Sequence, residues 1–231
     1  MTKTTLKHLL CSTLALALLG GCSSPSSASQ VSSDSEKQEQ QTPAPEPTPE
    51  PTPSQDGERS LVVYFSRTGE QYGVGVIEKG NTAIVAEILA EETGSDLFEI
   101  LPAEDSYPYT YDELIDVAKK GQAENARPAY AGTVPDLSQY SAIYIGSPVW
   151  WGDWPMILYT FFENNAEGLA GKTLYPFCTH AGSGLAGFDQ KLSRTCPDST
   201  VGEGLAIAGT TAQSDADSVR SSVQDWVKRI R

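Results

Sequence analysis

The residues from Ser60 onward predict a doubly wound α/β domain with a five-stranded parallel sheet. Three observations carry this. Short apolar runs recur along the chain, beginning with Leu61-Val62-Val63-Tyr64-Phe65, and stretches with helical spacing separate them. The first and third runs are continuous rather than alternating, which suits strands covered on both faces. Strand and helix alternate five times, and right-handed crossovers then place helices on both sides of the sheet.

Each element has its own signal. Asn81 can cap a helix to about Glu92, with Ile84, Val85, Ile88 and Leu89 on one face. Asp96 to Leu101 alternates and reads as the second strand. Thr110 to about Ala126 reads as a helix, with Leu114, Ile115 and Ala118 inward. Ala142 to Gly146 is the third strand. Pro155 opens a helix to Glu163, at a position where no N–H is missed. Thr173 to Phe177 is the fourth strand, Phe188 to Thr195 a helix, and Val201 to Ala208 contains the fifth strand. Asp215 to Ile230 is amphipathic, with Val219, Val223, Trp226 and Val227 on one face. Lys228, Arg229 and Arg231 stand near its negative end.

The chain ahead of this domain follows other rules. Lys3, Lys7 and His8 precede the apolar run Leu9 to Leu19, too short to span a membrane. Leu19-Gly20-Gly21-Cys22 resembles the lipobox of bacterial lipoproteins. That resemblance implies a signal peptide over 1–21, lipid on Cys22, and an extracytoplasmic protein anchored to the cell membrane. Residues 22–59 are Ser-, Gln- and Pro-rich, with alternate prolines from Pro43 to Pro53. Such a stretch has almost no apolar side chains to bury and reads as a disordered, extended spacer. The domain is 60–231.

Charge narrows the partners. There are 16 Lys and Arg against 30 Asp and Glu, a net charge of −14. A nucleic-acid partner needs a basic footprint, so that class is excluded. No metal-ligand spacing is present, and His180 is the one histidine after the signal segment.

Ligands of doubly wound sheets sit beyond the carboxyl ends of the strands, which directs attention to three loops. The first is Ser66-Arg67-Thr68-Gly69, then a stretch to Gly80, then Asn81-Thr82 opening a helix. Hydroxyls and free N–H groups at a helix start can hold a phosphate without a lysine, although the same residues also make ordinary turns. The second is Gly146-Ser147-Pro148-Val149-Trp150-Trp151-Gly152-Asp153-Trp154-Pro155. Three tryptophans in one loop suit a flat ligand, with one of them expected to pack in the core. The third, Thr179-His180-Ala181-Gly182-Ser183-Gly184, allows close backbone approach.

In this order the loops resemble the flavodoxin-like family, in its branch with a Trp-Trp loop. The resemblance covers 60–231 and implies a sheet in the order 2-1-3-4-5 that binds flavin mononucleotide (FMN). It implies that Ser66, Thr68, Gly69, Asn81 and Thr82 belong to the phosphate loop. Pro148, Val149, Trp150, Trp151 and Gly152 would hold the isoalloxazine. Thr179, His180, Gly182, Ser183 and Gly184 would form the far rim. The family also implies that the peptide near Gly152 reorients with the redox state of the flavin. One departure stands out: Glu70 to about Lys79 is inserted between Gly69 and Gly80. Folded outward, it would leave the cradle intact, and Tyr72 would either cover the flavin or be a surface aromatic.

The remaining candidates are less specific. His180 either serves the flavin or positions its loop. Tyr107-Pro108-Tyr109 either borders the ligand or forms a packed turn. Cys178 and Cys196 are expected at opposite ends of the sheet, too far apart for a disulfide. The leading function is an electron-transfer protein whose partners are FMN, a redox partner protein or small acceptor, and the membrane through its lipid anchor. An NAD(P)H-dependent reductase of quinones or similar small acceptors is the alternative. A binding module without flavin is the third.

Overall fold

The computed structural model describes residues 59–104 and 107–231. The signal segment, Cys22 and the spacer up to residue 58 lie outside the described residues. Five parallel strands form the sheet: β1 (Ser60–Tyr64), β2 (Asp96–Glu99), β3 (Ala142–Pro148), β4 (Thr173–His180) and β5 (Leu205–Ala208). Their spatial order is β2-β1-β3-β4-β5, the predicted 2-1-3-4-5. Tyr64 pairs with Glu99 on one side and Gly146 on the other, while Pro148 pairs with Thr179.

Alternate residues of β1 serve opposite layers, which is why its apolar run is unbroken. Leu61, Val63 and Phe65 join Ile143, Ile145, Phe161, Phe188 and Leu192 in one core. Val62 and Tyr64 join Val85, Leu89, Tyr144, Phe177, Val219 and Trp226 in the other. Helices α1 (Asn81–Thr93), α2 (Tyr111–Ala123), α3 (Met156–Asn164), α4 (Ala166–Leu169), α5 (Phe188–Thr195), α6 (Gly209–Ser214) and α7 (Ala216–Ile230) complete the layers. Phe161 is fully buried, so Phe161→Ala would cost about 3–5 kcal/mol.

Five boundaries differ from expectation, the first being that β3 runs on through Pro148 rather than ending at Gly146. Gly80, not Asn81, is the N-cap of α1. β4 continues through His180, because its last residues pair with both β3 and β5. The second strand stops at Glu99, and Leu101–Pro102 pairs instead with Tyr130–Ala131. The fifth strand is split: Thr200–Val201 pairs with the start of β4 and Leu205–Ala208 with its end. The break falls at Gly202 and Gly204. A Cβ on Gly202 would collide with the Tyr175 ring, and one on Gly204 would lie 2.6 Å from Leu185 Cδ2. Cys178 and Cys196 are both free and buried. Burial pushes their thiols up to about 12 and about 11.

Candidate functional site

The carboxyl ends of the strands open onto a cavity of about 390 Å³, within the usual range for small-molecule sites. Its walls come from four loops at that edge and from α2. Asn81 stands at the start of α1, Pro148 ends β3, and Val149, Trp150 and Trp151 follow it. Thr179 and His180 end β4, and Ala181 and Gly182 follow. Tyr111, Leu114, Ile115 and Ala118 come from α2, Ala208, Gly209 and Thr210 follow from β5, and Gln71, Tyr72 and Gly73 come from the insertion.

The phosphate-type loop is closed through space. The insertion forms an antiparallel hairpin in which Gly69–Gln71 pairs with Gly75–Ile77. Its two feet meet where Gly80 lies against Ser66 and Arg67. A Cβ on Gly80 would collide with Ser66 Oγ and lie 2.7 Å from the Arg67 carbonyl oxygen. Ser66 Oγ accepts the Ala83 N–H at 3.0 Å, doing the work of the side-chain cap that Gly80 lacks. Its own hydroxyl hydrogen stays available as a donor. The N–H groups of Asn81 and Thr82 have no acceptor within the helix. Asn81 Oδ1 accepts from Gln213 at 2.8 Å, which fixes the amide with its NH₂ directed the other way. Thr82 and Thr179 share one hydrogen bond at 2.8 Å and are both buried. Two hydroxyls sharing one bond leave one hydrogen to donate onward.

Arg67 is not part of this cradle. Its guanidinium donates to the carbonyls of Glu70 at 2.8 Å, Pro108, and Tyr109 at 2.6 Å. The hairpin is pinned outward as well: Glu70 N donates to the Tyr109 carbonyl at 2.9 Å, and Glu70 Oε2 accepts the Tyr111 N–H, the first of α2, at 2.8 Å. Tyr72 at the tip is 63 % exposed, with its ring 5.6 Å from that of Tyr111. The insertion thus folds away from the cradle and still brings Tyr72 to the mouth of the cavity.

The tryptophans divide by depth. Trp154 is buried and stacks on Phe188 at 3.7 Å. Trp150 is half-buried, edge-on to Phe65 and Tyr107. Trp151 is 51 % exposed. A tight turn carries it: Trp150 N donates to the Asp153 carbonyl at 2.9 Å, and Asp153 N donates back at 3.0 Å. Trp151 and Gly152 both have positive φ, 51° and 71°, so a bulky residue sits in a conformation that glycine favours. Bonds from outside the turn hold it there. Trp151 Nε1 donates to the Ile115 carbonyl at 3.3 Å, and Lys191 Nζ donates to the Gly152 carbonyl and lies 3.6 Å from Asp153 Oδ1.

In the third loop, His180 Nδ1 accepts the Gly182 N–H at 3.0 Å. That assigns the ring hydrogen to Nε2. Burial holds the imidazole below its usual pKa, so it is neutral. His180 therefore does position its loop. Ser183 is exposed and off the wall, and Gly184 turns its carbonyl to Cys178 Sγ at 3.4 Å. Thr68 and Gly152 are exposed, and Gly69 is buried; none of the three is on the wall.

Ala208, Gly209 and Thr210 belong to the wall without any motif in the sequence that marks them. A Cβ on Gly209 would lie 2.6 Å from Asn81 Nδ2, so this turn packs directly on the cradle. Its small residues between a strand and a helix were the available signal. Tyr111 was hidden as the first residue of a helix.

A search of curated proteins gives no match. Solved structures do match. A protein of Bacteroides uniformis described as a flavoprotein is 29% identical, covers 74% of this chain and 99% of its own, and has a TM-score of 0.58. One of Bacteroides eggerthii with the same description is 30% identical over 75% of this chain and 98% of its own, at 0.57. A flavoprotein of Lactobacillus acidophilus solved in complex with FMN shares the fold at 21% identity, covering 65% and 93%, at 0.53. The family model described as Flavodoxin matches residues 59–230. With the sheet order and the cavity at its carboxyl edge, this chain belongs to the flavodoxin family.

Proposed function

We propose that this chain is an FMN-binding electron-transfer protein held outside the cell membrane by lipid on Cys22. One observation carries the cofactor reading: a single cavity has flat aromatic walls at Trp150 and Trp151, the free amide NH₂ of Asn81, and Thr179, whose hydroxyl shares one hydrogen bond with Thr82. The residues fit the group. Asn81 and the N–H groups at the start of α1 would take the phosphate, with Ser66 and Thr82, both off the cavity wall, bracing them from behind. Trp150, Trp151 and the backbone from Thr179 to Gly182 would take the ring system. FMN, when bound, supplies the redox chemistry.

The chain's own residues orient the cofactor and limit its contact with water. Trp151 stands on a turn fixed at both ends, Tyr72 partly covers the opening, and α2 presents Leu114, Ile115 and Ala118 as an apolar wall. The acidic residues Asp112, Glu113 and Asp116 stand exposed on α2. Negative charge near an anionic cofactor makes adding electrons harder and favours basic partners.

The absorption spectrum of the purified protein, with and without added FMN, tests this. Flavin absorbance that stays with the protein through gel filtration is expected; a colourless chain with no FMN affinity would reject it. Assayed with NAD(P)H and a quinone, the protein should show no turnover, and turnover would make it a reductase. Cys22→Ala should move the protein from the membrane fraction to the soluble one.

A further inference from the structure

Two turns near the cavity share a backbone shape that side chains disfavour. Trp151 and Gly152 have φ of 51° and 71°, and Ala186 and Gly187 have 53° and 70°. Among the described residues, Asn125 is the one other non-glycine residue with positive φ. The first turn follows β3 and puts Trp151 on the cavity wall. The second closes a loop that begins with Ala181 and Gly182, both on the wall, and leads into α5.

One side chain reaches both turns. Lys191 stands in the first turn of α5, where helical side chains lean back toward the N-terminus. Its Nζ donates to the Gly152 carbonyl and, at 2.9 Å, to the Ala186 carbonyl, and it lies 3.6 Å from Asp153 Oδ1. The side chain is 26 % exposed, although lysine is mostly a surface residue. The place is a poor one for a free cation. The first turn is the positive end of the helix dipole, and holding a lysine still costs side-chain entropy. Charge-assisted bonds to two carbonyls offset those costs.

The other braces stay on one wall each. Trp151 Nε1 donates to the Ile115 carbonyl of α2. The second loop is tied to β4, through Gly182 N to His180 Nδ1 and through the Gly184 carbonyl to Cys178 Sγ. Among the described residues no hydrogen bond joins the Trp150–Asp153 turn directly to the loop from Ala181 to Gly187. The ammonium of Lys191 is the link between them.

We infer that Lys191 is the positioning residue for the ring side of the site. It fixes the Trp turn and the Ala181–Gly187 loop to each other, so the two walls assigned to the ring system act as one unit. The inference rests on the cofactor reading for what lies between the walls, and not for the coupling itself. Lys191 touches neither the cavity nor the phosphate cradle, so its effect reaches a ligand through Trp151 and Gly182.

The test compares Lys191→Met, which keeps the stem and removes the donors, with Lys191→Arg, which keeps donors and charge. In the flavin-free, nitrogen-labelled protein, Lys191→Met should shift the Trp151 indole signal and the Gly182 amide signal together, and Lys191→Arg should return both toward wild type. In titrations, Lys191→Met should weaken FMN and riboflavin by the same factor, about tenfold. Adding Trp151→Ala to Lys191→Met should then cost no more than about twofold further, because coupled residues are not additive. Movement of one NMR signal without the other would overturn the inference. So would unchanged flavin affinity, a loss confined to FMN, full additivity with Trp151→Ala, or a Lys191→Arg protein as weak as Lys191→Met. A wild-type chain that takes no flavin would reject the cofactor reading, and linked shifts in the flavin-free protein would still support the coupling.

Discussion

The Trp loop and the hydroxyl loop face the same cavity but are built in opposite ways. The Trp loop is contiguous, and its turn is held in a strained shape by its own two backbone bonds and by Lys191. The hydroxyl loop is assembled from two segments ten residues apart, joined where Gly80 touches Ser66 and Arg67. Strain is tolerated where the chain is short and cross-braced. An insertion is tolerated where the two ends are already in contact, because closing a loop that is already closed costs little more. The cavity thus depends on conformation at one end and on proximity at the other.

Gly80→Ala attacks the proximity directly. It should separate the feet of the hairpin and lower FMN affinity roughly 100-fold, about 2.7 kcal/mol, measured by quenching of flavin fluorescence. Retained affinity would show that the two segments do not form one cradle. Trp151→Ala removes one aromatic wall without touching the fold, and about a tenfold loss is expected in the same titration. At Gly152 the positive φ makes alanine costly by about 1 kcal/mol, read as a lowered urea midpoint. If both redox potentials then stayed unchanged, the turn would have no part in tuning the flavin. Glu70→Ala removes the carboxylate that caps α2 and should cost about 1 kcal/mol, with faster proteolysis at the hairpin and little change in equilibrium FMN affinity. The smallest effect concerns pH. Burial holds His180 below its usual 6.5, so the unfolded chain binds a proton that the folded chain resists. Stability from this group falls as pH drops below about 6.5 and is unaffected above it. His180→Asn should flatten that share of the slope.

The sheet was legible because burial on both faces writes itself as unbroken apolar runs, as at Leu61 to Phe65. The split of the fifth strand was not, because the break at Gly202 lies against the ring of Tyr175, a residue 27 positions earlier in the chain. Trp150, Trp151 and Trp154 were visible as a set. Their order of depth depends on Phe188 and on a turn with positive φ, neither of which periodicity reports. The hairpin had a readable signature, glycines at 69, 73 and 75 around alternating residues, yet its anchoring to Tyr109 and Tyr111 is long-range. The turn after β5 escaped because small residues at a strand end are common and become informative only when Asn81 is seen against them.

The two buried cysteines have a bearing on how this protein is made. Cys178 and Cys196 stay protonated at any physiological pH, since burial pushes both thiols up to about 12 and about 11. A protonated, inaccessible thiol is neither a nucleophile nor a partner for exchange. The native domain holds both thiols reduced, so no oxidant is needed to reach it. Burial shields them only once the chain has folded, so both should resist a thiol reagent in the native protein and react once it is unfolded.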